Sequence, residues 1–352
     1  MEFSIMSEGG PRYWLYLSYS IPKINKEEFE KLDLFSKWLV SSRSAVLVMT
    51  FISGLLGVLF AALYGYYNLT LSILVIAGLV ISHAASNLFN DYWDFRQGVD
   101  TDNYFRAKYG PQPIVSGLLS EKQTLKWAIL TTVIGLVIGG YLVFVRGYIA
   151  LLLIVLGLLI ITLYSGGRFP LKRFGLGEVA VFITWGPLMI GGAFFIVTGI
   201  FSWSVVLASL PYALGTTLVI FGKHIDKIEY DSTKKIRTLP VILGERSARY
   251  ATIALLTAML IITPVFVVLG ILPWPAILVF LTLGLYFKTI RFFEKPRPES
   301  PPEDYPKESW PLWFVGSAFI YNRNFGFLFL LGIIIGIVLF HFSAFPAFIH
   351  IL

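Results

Sequence analysis

Two short segments of the chain concentrate side chains that could bind a cation or a phosphate. The first reads NDYWD at residues 90–94, where Asn90 and Asp94 are spaced i, i+4 and Asp91 and Asp94 are spaced i, i+3. If this segment is helical, the three polar side chains project from one face. Oxygen donors without His or Cys suit a hard cation such as Mg²⁺. Asp100 can join them if the chain bends after the helix.

The second segment reads KHIDKIEYD at residues 223–231. Asp226 and Glu229 are spaced i, i+3, whereas Asp231 follows five residues after Asp226, so the helix must loosen if both aspartates are to converge. Several bases surround these acids: Lys223, Lys227, Lys234, Lys235 and Arg237. Carboxylates that hold Mg²⁺, together with bases that neutralise phosphate oxygens, would form a cradle for a diphosphate. The predicted metal ligands are Asn90, Asp91, Asp94, Asp100, Asp226, Glu229 and Asp231.

Long apolar spans must position both segments. Hydrophobic residues make up 56% of the chain and charged residues only 14%, against about 25% charged residues in soluble domains. Apolar runs of roughly 18 to 25 residues cross a bilayer as helices, because lipid offers the backbone no hydrogen-bond partner. We therefore predict an all-α, polytopic membrane protein with about nine transmembrane helices around a central cavity. The predicted spans are about 43–66, 68–90, 125–145, 148–165, 176–199, 203–222, 249–270, 272–290 and 324–345.

The basic charge of the chain follows this topology. A net charge of +7 could suggest nucleic-acid binding. With nine spans and the N-terminus inside, however, every one of the 28 Lys and Arg residues except Arg146 falls in segments or span ends on the cytoplasmic side. That distribution is the positive-inside rule. We predict a multi-pass cell-membrane protein with its N-terminus and active-site loops in the cytoplasm, and no nucleic-acid partner.

The sequence divides into an N-terminal segment and one transmembrane domain. Residues 1–42 are mostly polar and carry no signal-peptide pattern. Within them, residues 24–42 are amphipathic and are predicted to lie on the membrane surface. Residues 43–352 are predicted to form the transmembrane domain. The chain has no cysteine, which excludes disulfides, thiolate catalysis and Cys-ligated metals.

At these residues the chain resembles the UbiA superfamily of intramembrane prenyltransferases. That family has nine transmembrane helices and two aspartate-rich motifs, on cytoplasmic loops after helices two and six. Its first motif, N-D-x-x-D followed by a further Asp, is matched at 90–94 and at Asp100. The form DFRQGVDT at 94–101 and the stretch YSGGRFPL at 164–171 resemble the branch that prenylates 1,4-dihydroxy-2-naphthoate in menaquinone synthesis. RTLPVILG at 237–244 also matches this branch, whereas one aspartate of its second motif falls on Lys227.

The resemblance implies a mechanism and a set of site residues. Mg²⁺ bound to the acids would hold an isoprenyl diphosphate, whose C–O bond ionises to an allylic cation that an aromatic or lipid acceptor attacks. By their chemistry, Arg168 and Lys172 would bind phosphate or an acceptor carboxylate, and Tyr164 would either stabilise the cation with its π face or pack the loop. Asn87 would either face the cavity or pack between helices. The predicted catalytic residues are Asp91, Asp94, Tyr164, Arg168, Lys172 and Asp231, and the predicted substrate-binding residues are Asn87, Asn90, Arg168, Lys172, Lys223, Lys227 and Arg237.

Other functions fit the sequence less well. A glycerol-phosphate lipid acceptor, as in archaeal ether-lipid synthesis, usually accompanies an R-P-x-R-P-like run, and this chain has KYGPQP at 108–113. A transporter would need ionisable groups near the middle of the membrane, and predicted spans three, four, six, seven and eight have essentially none in their centres. A purely structural membrane protein gives no reason for two acidic clusters on one side.

Overall fold

A computed structural model describes residues 9–98, 112–166, 170–306 and 309–342. Regular structure in these ranges is helical, apart from one isolated backbone bridge between Phe174 and Arg237. Eight of the described helices are long and apolar enough to cross a membrane, and Tyr148–Tyr164 is a shorter apolar helix where the fourth span was predicted. The all-α, polytopic architecture is confirmed, and the predicted count of nine is reached when the shorter helix is included.

The described helices comprise three N-terminal helices, nine longer helices of the bundle and two short connecting helices. In chain order they are α1 (Pro11–Leu17), α2 (Lys26–Lys31), α3 (Leu34–Ser41), α4 (Ser44–Leu63), α5 (Leu69–Arg96), α6 (Glu121–Arg146), α7 (Tyr148–Ser165), α8 (Gly177–Thr198), α9 (Trp203–Asp226), α10 (Ile228–Thr233), α11 (Leu239–Leu243), α12 (Glu245–Val268), α13 (Trp274–Glu294) and α14 (Trp313–Phe342). Helix α8 widens to a π-helix over Thr184–Gly191, a stretch that contains Pro187, which has no N–H to donate.

The hydrophobic core lies between α4, α8, α9, α12, α13 and α14. Its largest fully buried side chains include Tyr212, Tyr321, Phe325 and Phe329. Small residues let the helices approach closely: a Cβ on Gly222 would lie 2.9 Å from the carbonyl oxygen of Phe314, which brings the end of α9 against the start of α14.

The N-terminal segment packs on the helical bundle instead of extending as one amphipathic helix. The predicted stretch 24–42 is broken at Asp33, because the Asp33 carboxylate accepts a hydrogen bond from the Ser36 N–H and so caps a new helix, α3. Apolar side chains of this segment form a cluster with Leu118, Leu119 and Trp127. The Trp38 indole also donates to Thr131 Oγ1 over 3.0 Å, which ties α3 to α6.

The last helix begins earlier than predicted. The ninth span was predicted to begin at about residue 324, but α14 starts at Trp313. Two of its first N–H groups, those of Phe314 and Val315, donate to the Asp226 carboxylate, so a side chain from α9 caps this helix. The polar run NRN at 322–324 therefore lies inside a transmembrane helix.

Candidate active site

The first acidic segment lies on the last turns of α5. This helix continues to Arg96 without a break, so Asn90, Asp91 and Asp94 occupy one helical face as predicted. Asp91 and Asp94 are only 2% and 5% exposed. The bend predicted after the helix is present at Gly98, which has a φ of 64°. The end of the bundle at which α5 and α9 finish is called the motif face below.

Asp91 pairs with an arginine that the sequence did not single out. Arg43 Nη2 lies 2.7 Å from Asp91 Oδ1 and also donates to the Asn87 carbonyl over 3.0 Å. Asn87 in turn donates its side-chain N–H to the Ser42 carbonyl, 2.8 Å away. Arg43 has a left-handed φ of 58° between α3 and α4. Nothing in the sequence indicated this role, because Arg43 was counted with the other basic residues at the cytoplasmic span ends.

Asp94 pairs with Lys172, as the prediction of a shared site requires. Lys172 lies on a 3₁₀ turn, Leu171–Arg173, and its ammonium is 2.5 Å from Asp94 Oδ1 and 3.4 Å from Asn90 Oδ1. Two oxygen atoms of α5 thus hold one cation. The neighbouring Arg173 donates to Gln97 Oε1 over 2.7 Å and fixes the same loop to the end of α5.

The second acidic segment changes direction at Lys227. Helix α9 ends at Asp226 and α10 begins at Ile228, so the helix is interrupted between the two aspartates. Asp231 is fully buried and lies 3.0 Å from the Lys227 ammonium. Lys234 reaches the first segment, because its ammonium donates to the Gly98 carbonyl over 2.8 Å.

Three segments of the chain therefore meet at the motif face. The end of α5, the turn at Lys172 and the segment from Lys227 to Lys234 are joined by the contacts given above. Tyr164 lies among them, close enough to interact electrostatically with Asp94, Lys227 and Asp231. The structure thus places Asp94 of the first acidic segment and Asp231 of the second around Tyr164.

Asp226 and Glu229 are placed differently from Asp231. The Asp226 oxygens accept the Phe314 and Val315 N–H groups over 3.0 and 2.9 Å, and Arg297 lies 3.7 Å away. Asp226 is therefore directed at the start of α14, and Glu229 is exposed. Among the described residues no group of three or more His, Asp or Glu side chains is arranged to hold a metal. Asp100 and Arg168 lie outside the described residues.

A large cavity opens beside these groups. Its volume is about 1530 Å³, and Asn87, Asn90, Tyr164 and Lys223 line it near the motif face. Apolar residues line much of the remainder, among them Leu79, Ile138, Ile154 and Met189 of α5, α6, α7 and α8. Arg237 is exposed and Lys227 is buried, and neither side chain is among the lining residues of the cavity. The cavity confirms the central cavity of the predicted fold class.

A second buried pair supports this arrangement. His224 Nδ1 lies 2.5 Å from Glu178 Oε1, and both side chains are 2% exposed. The pair joins α9 to the start of α8, directly after the turn that carries Lys172. The sequence placed His224 near the motif without a role, and only the tertiary contact assigns it one in positioning.

Acids and bases grouped beside an apolar cavity within a helical bundle are typical of an intramembrane enzyme. The model of the UbiA prenyltransferase family matches residues 47–313, and the chain belongs to this family. It is a membrane prenyltransferase. The resemblance drawn from the two acidic segments is thereby confirmed.

Known proteins with similar sequences or folds agree with this assignment. The chain is 26% identical over 297 residues to a 1,4-dihydroxy-2-naphthoate octaprenyltransferase of Bacillus subtilis, a match that covers 84% of this chain and 91% of that protein. The apo structure of a UbiA homolog from Aeropyrum pernix superposes with a TM-score of 0.57 at 18% identity, covering 81% of this chain and 97% of that one. A UbiA homolog from Archaeoglobus fulgidus bound to GPP and Mg²⁺ gives a TM-score of 0.52 at 16% identity, covering 86% and 99%.

Proposed function

We propose that this prenyltransferase transfers an isoprenyl group from a polyprenyl diphosphate to an aromatic quinone precursor similar to 1,4-dihydroxy-2-naphthoate, in a Mg²⁺-dependent reaction. The observation that supports this most is the position of the Lys172 ammonium between Asn90 and Asp94. A cation is stable where two oxygen donors converge, and Asn90 also lines the cavity. The apolar part of the cavity would bury the isoprenyl chain.

The diphosphate would lie at the motif face. Lys172 and Lys223 would neutralise its oxygens as negative charge develops on the leaving group. Asn90 and Asp94 are the donors that would hold Mg²⁺, with Asp91 and Asp231 beside them. When bound, Mg²⁺ supplies Lewis-acid stabilisation of the departing diphosphate. Asp100 and Arg168 remain predictions of the sequence for the same site.

The transfer itself moves one electron pair out and one in. The C–O bond of the isoprenyl diphosphate breaks and its electron pair leaves with the diphosphate. A carbon of the acceptor ring supplies the pair for the new bond to the allylic cation, and that carbon then loses a proton, or CO2 if it carries the carboxylate, so that the ring regains its aromaticity. Tyr164, on the cavity wall, would present its π face to that cation. The apolar walls would keep water from capturing it.

The choice of acceptor is supported by sequence. The Bacillus subtilis relative, named for 1,4-dihydroxy-2-naphthoate, aligns over most of both chains. The dependence on Mg²⁺ is supported by the oxygen-only donor set and by the neighbour bound to GPP and Mg²⁺. We also propose that the motif face and the N-terminus lie in the cytoplasm, which the distribution of Lys and Arg supports.

Purified protein with geranylgeranyl diphosphate and Mg²⁺ would test this proposal. We expect a prenylated product with 1,4-dihydroxy-2-naphthoate, none with a glycerol-phosphate acceptor, and none after chelation of divalent cations. Asp94→Asn should abolish the product, and Asp304→Asn, which removes an exposed carboxylate of the link before α14, should leave it unchanged. Product with the glycerol-phosphate acceptor alone would refute the aromatic acceptor, and full activity of Asp94→Asn would refute the site.

A further inference from the structure

The last helix carries a cation into the membrane-spanning part of the protein. Arg323 is ten residues beyond the first residue of α14, Trp313, which is about 15 Å along the helix axis. An ionisable side chain at such a depth is costly in lipid and usually serves a binding site or a water-filled cavity. From the sequence, Arg323 preceded the ninth predicted span and was counted with the Lys and Arg residues of the cytoplasmic side. Because α14 begins at Trp313, Arg323 instead lies within the helix.

Arg323 lies deeper than the acids of the motif face. Helices α4 and α14 both start at this face, and a Cβ on Gly326 would lie 3.1 Å from Ile52 Cδ1. Arg323 is therefore level with Met49, three residues before Ile52. Arg43, which holds Asp91, is six residues earlier than Met49, so the Cα of Arg323 is about 9 Å deeper than that of Arg43.

The side chain of Arg323 lines the same cavity as the active-site groups. It shares a face of α14 with Phe319 and Ile320, which also line the cavity, and its guanidinium lies 5.9 Å from the centre of the Phe319 ring. No Asp or Glu among the residues described in the structure forms an ion pair with it. Its charge is thus balanced by no carboxylate within this part of the protein.

The cavity as a whole favours anions. Among the residues that the structure describes, its charged lining consists of one acid and five bases, namely Glu28 and then Lys23, Lys31, Arg43, Lys223 and Arg323. Of these bases only Arg323 belongs to α14. A planar guanidinium backed by an aromatic ring matches a carboxylate in geometry and charge.

We propose that Arg323 binds the carboxylate of the aromatic acceptor, at a subsite deeper than the one for the diphosphate. The inference rests on the proposed function, because it names the subsite for that acceptor. The diphosphate at the motif face and the acceptor carboxylate at Arg323 would then be separated, which reduces the repulsion between the two anions. The acceptor ring would lie between them. Arg323 then selects acceptors that carry a carboxylate and fixes which ring carbon faces the isoprenyl cation.

A comparison of the affinities for an aromatic acid and for its neutral amide distinguishes an arginine that binds a carboxylate from one that only extends toward the membrane surface. The probes are 1-hydroxy-2-naphthoate and 1-hydroxy-2-naphthamide, titrated calorimetrically into the purified full-length protein. We expect the wild type to bind the acid roughly tenfold or more tightly than the amide, the effect of one charge-assisted hydrogen bond. Arg323→Gln should bind both equally, whereas Lys288→Gln, which removes an exposed cation of α13 outside the cavity, should keep the preference.

A second variant guards against loss of folding. Ile320→Glu, one turn from Arg323 on the cavity wall, keeps the arginine but supplies a competing carboxylate. It should also remove the preference for the acid, and Arg323→Lys should retain part of it. A preference that survives in Arg323→Gln or Ile320→Glu, or that is missing in the wild type, overturns the subsite. Neither titration needs turnover, so a wild type that binds the acid selectively but forms no prenylated naphthoate refutes the proposed function and leaves the subsite standing.

Discussion

The ammonium of Lys172 and the carboxylate of Asp94 form an ion pair of 2.5 Å between positions 78 residues apart in the chain. Both side chains are nearly buried, with 9% and 7% of their surfaces exposed. The pair closes the turn after α7 onto the end of α5. A bound diphosphate and its metal ion would have to share this contact or replace it. Substitution of Lys172 removes a group that would bind phosphate but leaves the oxygen atoms that would bind the metal, so it tests the two kinds of binding separately.

Replacement of Lys172 by Gln should lower kcat without weakening the interaction with Mg²⁺. Loss of one charged donor to a leaving group costs about 100-fold in rate. Because the ammonium no longer competes for Asp94, half-saturation by Mg²⁺ should occur at the same or a lower concentration. Steady-state rates at varied Mg²⁺ measure both quantities. Lys295→Gln, an exposed cation in the link before α14, serves as the matched control. A raised Mg²⁺ requirement in Lys172→Gln would contradict this assignment.

Replacement of Lys227 by Met should destabilise the fold more than it changes the chemistry. Lys227 lies 3.0 Å from the fully buried Asp231, and removing one partner of a buried ion pair costs about 3–5 kcal/mol. Thermal unfolding in detergent should therefore begin several degrees lower. Lys235→Met, at an exposed position nearby, should have little effect.

The double variant Lys227→Met with Asp231→Asn tests the cause of that loss. If the unpaired carboxylate is responsible, the double variant is more stable than Lys227→Met alone, because the buried charge has been removed. Equal stability of the single and double variants would show that the loss comes from packing of the lysine stem.

Local spacing predicted part of the site. No Gly or Pro interrupts the chain between Leu79 and Arg96, so α5 carries Asn90, Asp91 and Asp94 on one face. A break was also expected between Asp226 and Asp231 and is found at Lys227, but it does not bring the two carboxylates together. These features depend on helical geometry within one segment, which sequence alone determines well.

Contacts between distant segments could not be predicted in the same way. Arg43 and Asp91 are 48 residues apart, and nothing local distinguishes Arg43 from the other bases of this face. The orientation of Asp226 depends on where α14 begins, and the ninth span was predicted to begin at about residue 324, later than the observed start at Trp313. The metal ligands predicted from residue type and spacing therefore included both Asp226 and Asp231, although the fold directs their carboxylates to different partners.

Asp226→Asn should preserve activity if this residue acts as a helix cap. An asparagine side chain still accepts one hydrogen bond from the start of α14, so kcat and half-saturation by Mg²⁺ should stay within about threefold of the wild type, whereas loss of the cap in Asp226→Ala costs about 0.5–2 kcal/mol of stability. Activity assays and thermal unfolding of both variants measure this difference. A Mg²⁺ requirement raised tenfold or more in Asp226→Asn would instead identify Asp226 as a metal ligand.

Acid should release the N-terminal segment through Asp33. Burial alone would raise the pKa of this carboxyl, but hydrogen bonds from Ser36 and from the Gly10 N–H outweigh it and lower the pKa from 3.8 to about 2. A folded-state pKa below the unfolded value gives stability that is complete above about pH 4 and is lost as pH falls toward 2. Cleavage of α1 by pepsin should therefore accelerate across this window in the wild type. Asp33→Asn, which has no such proton to bind, should be cleaved faster at pH 4 and should show only the pH dependence of pepsin itself; a constant ratio between the two proteins from pH 4 to 2 would exclude Asp33 as the titrating group.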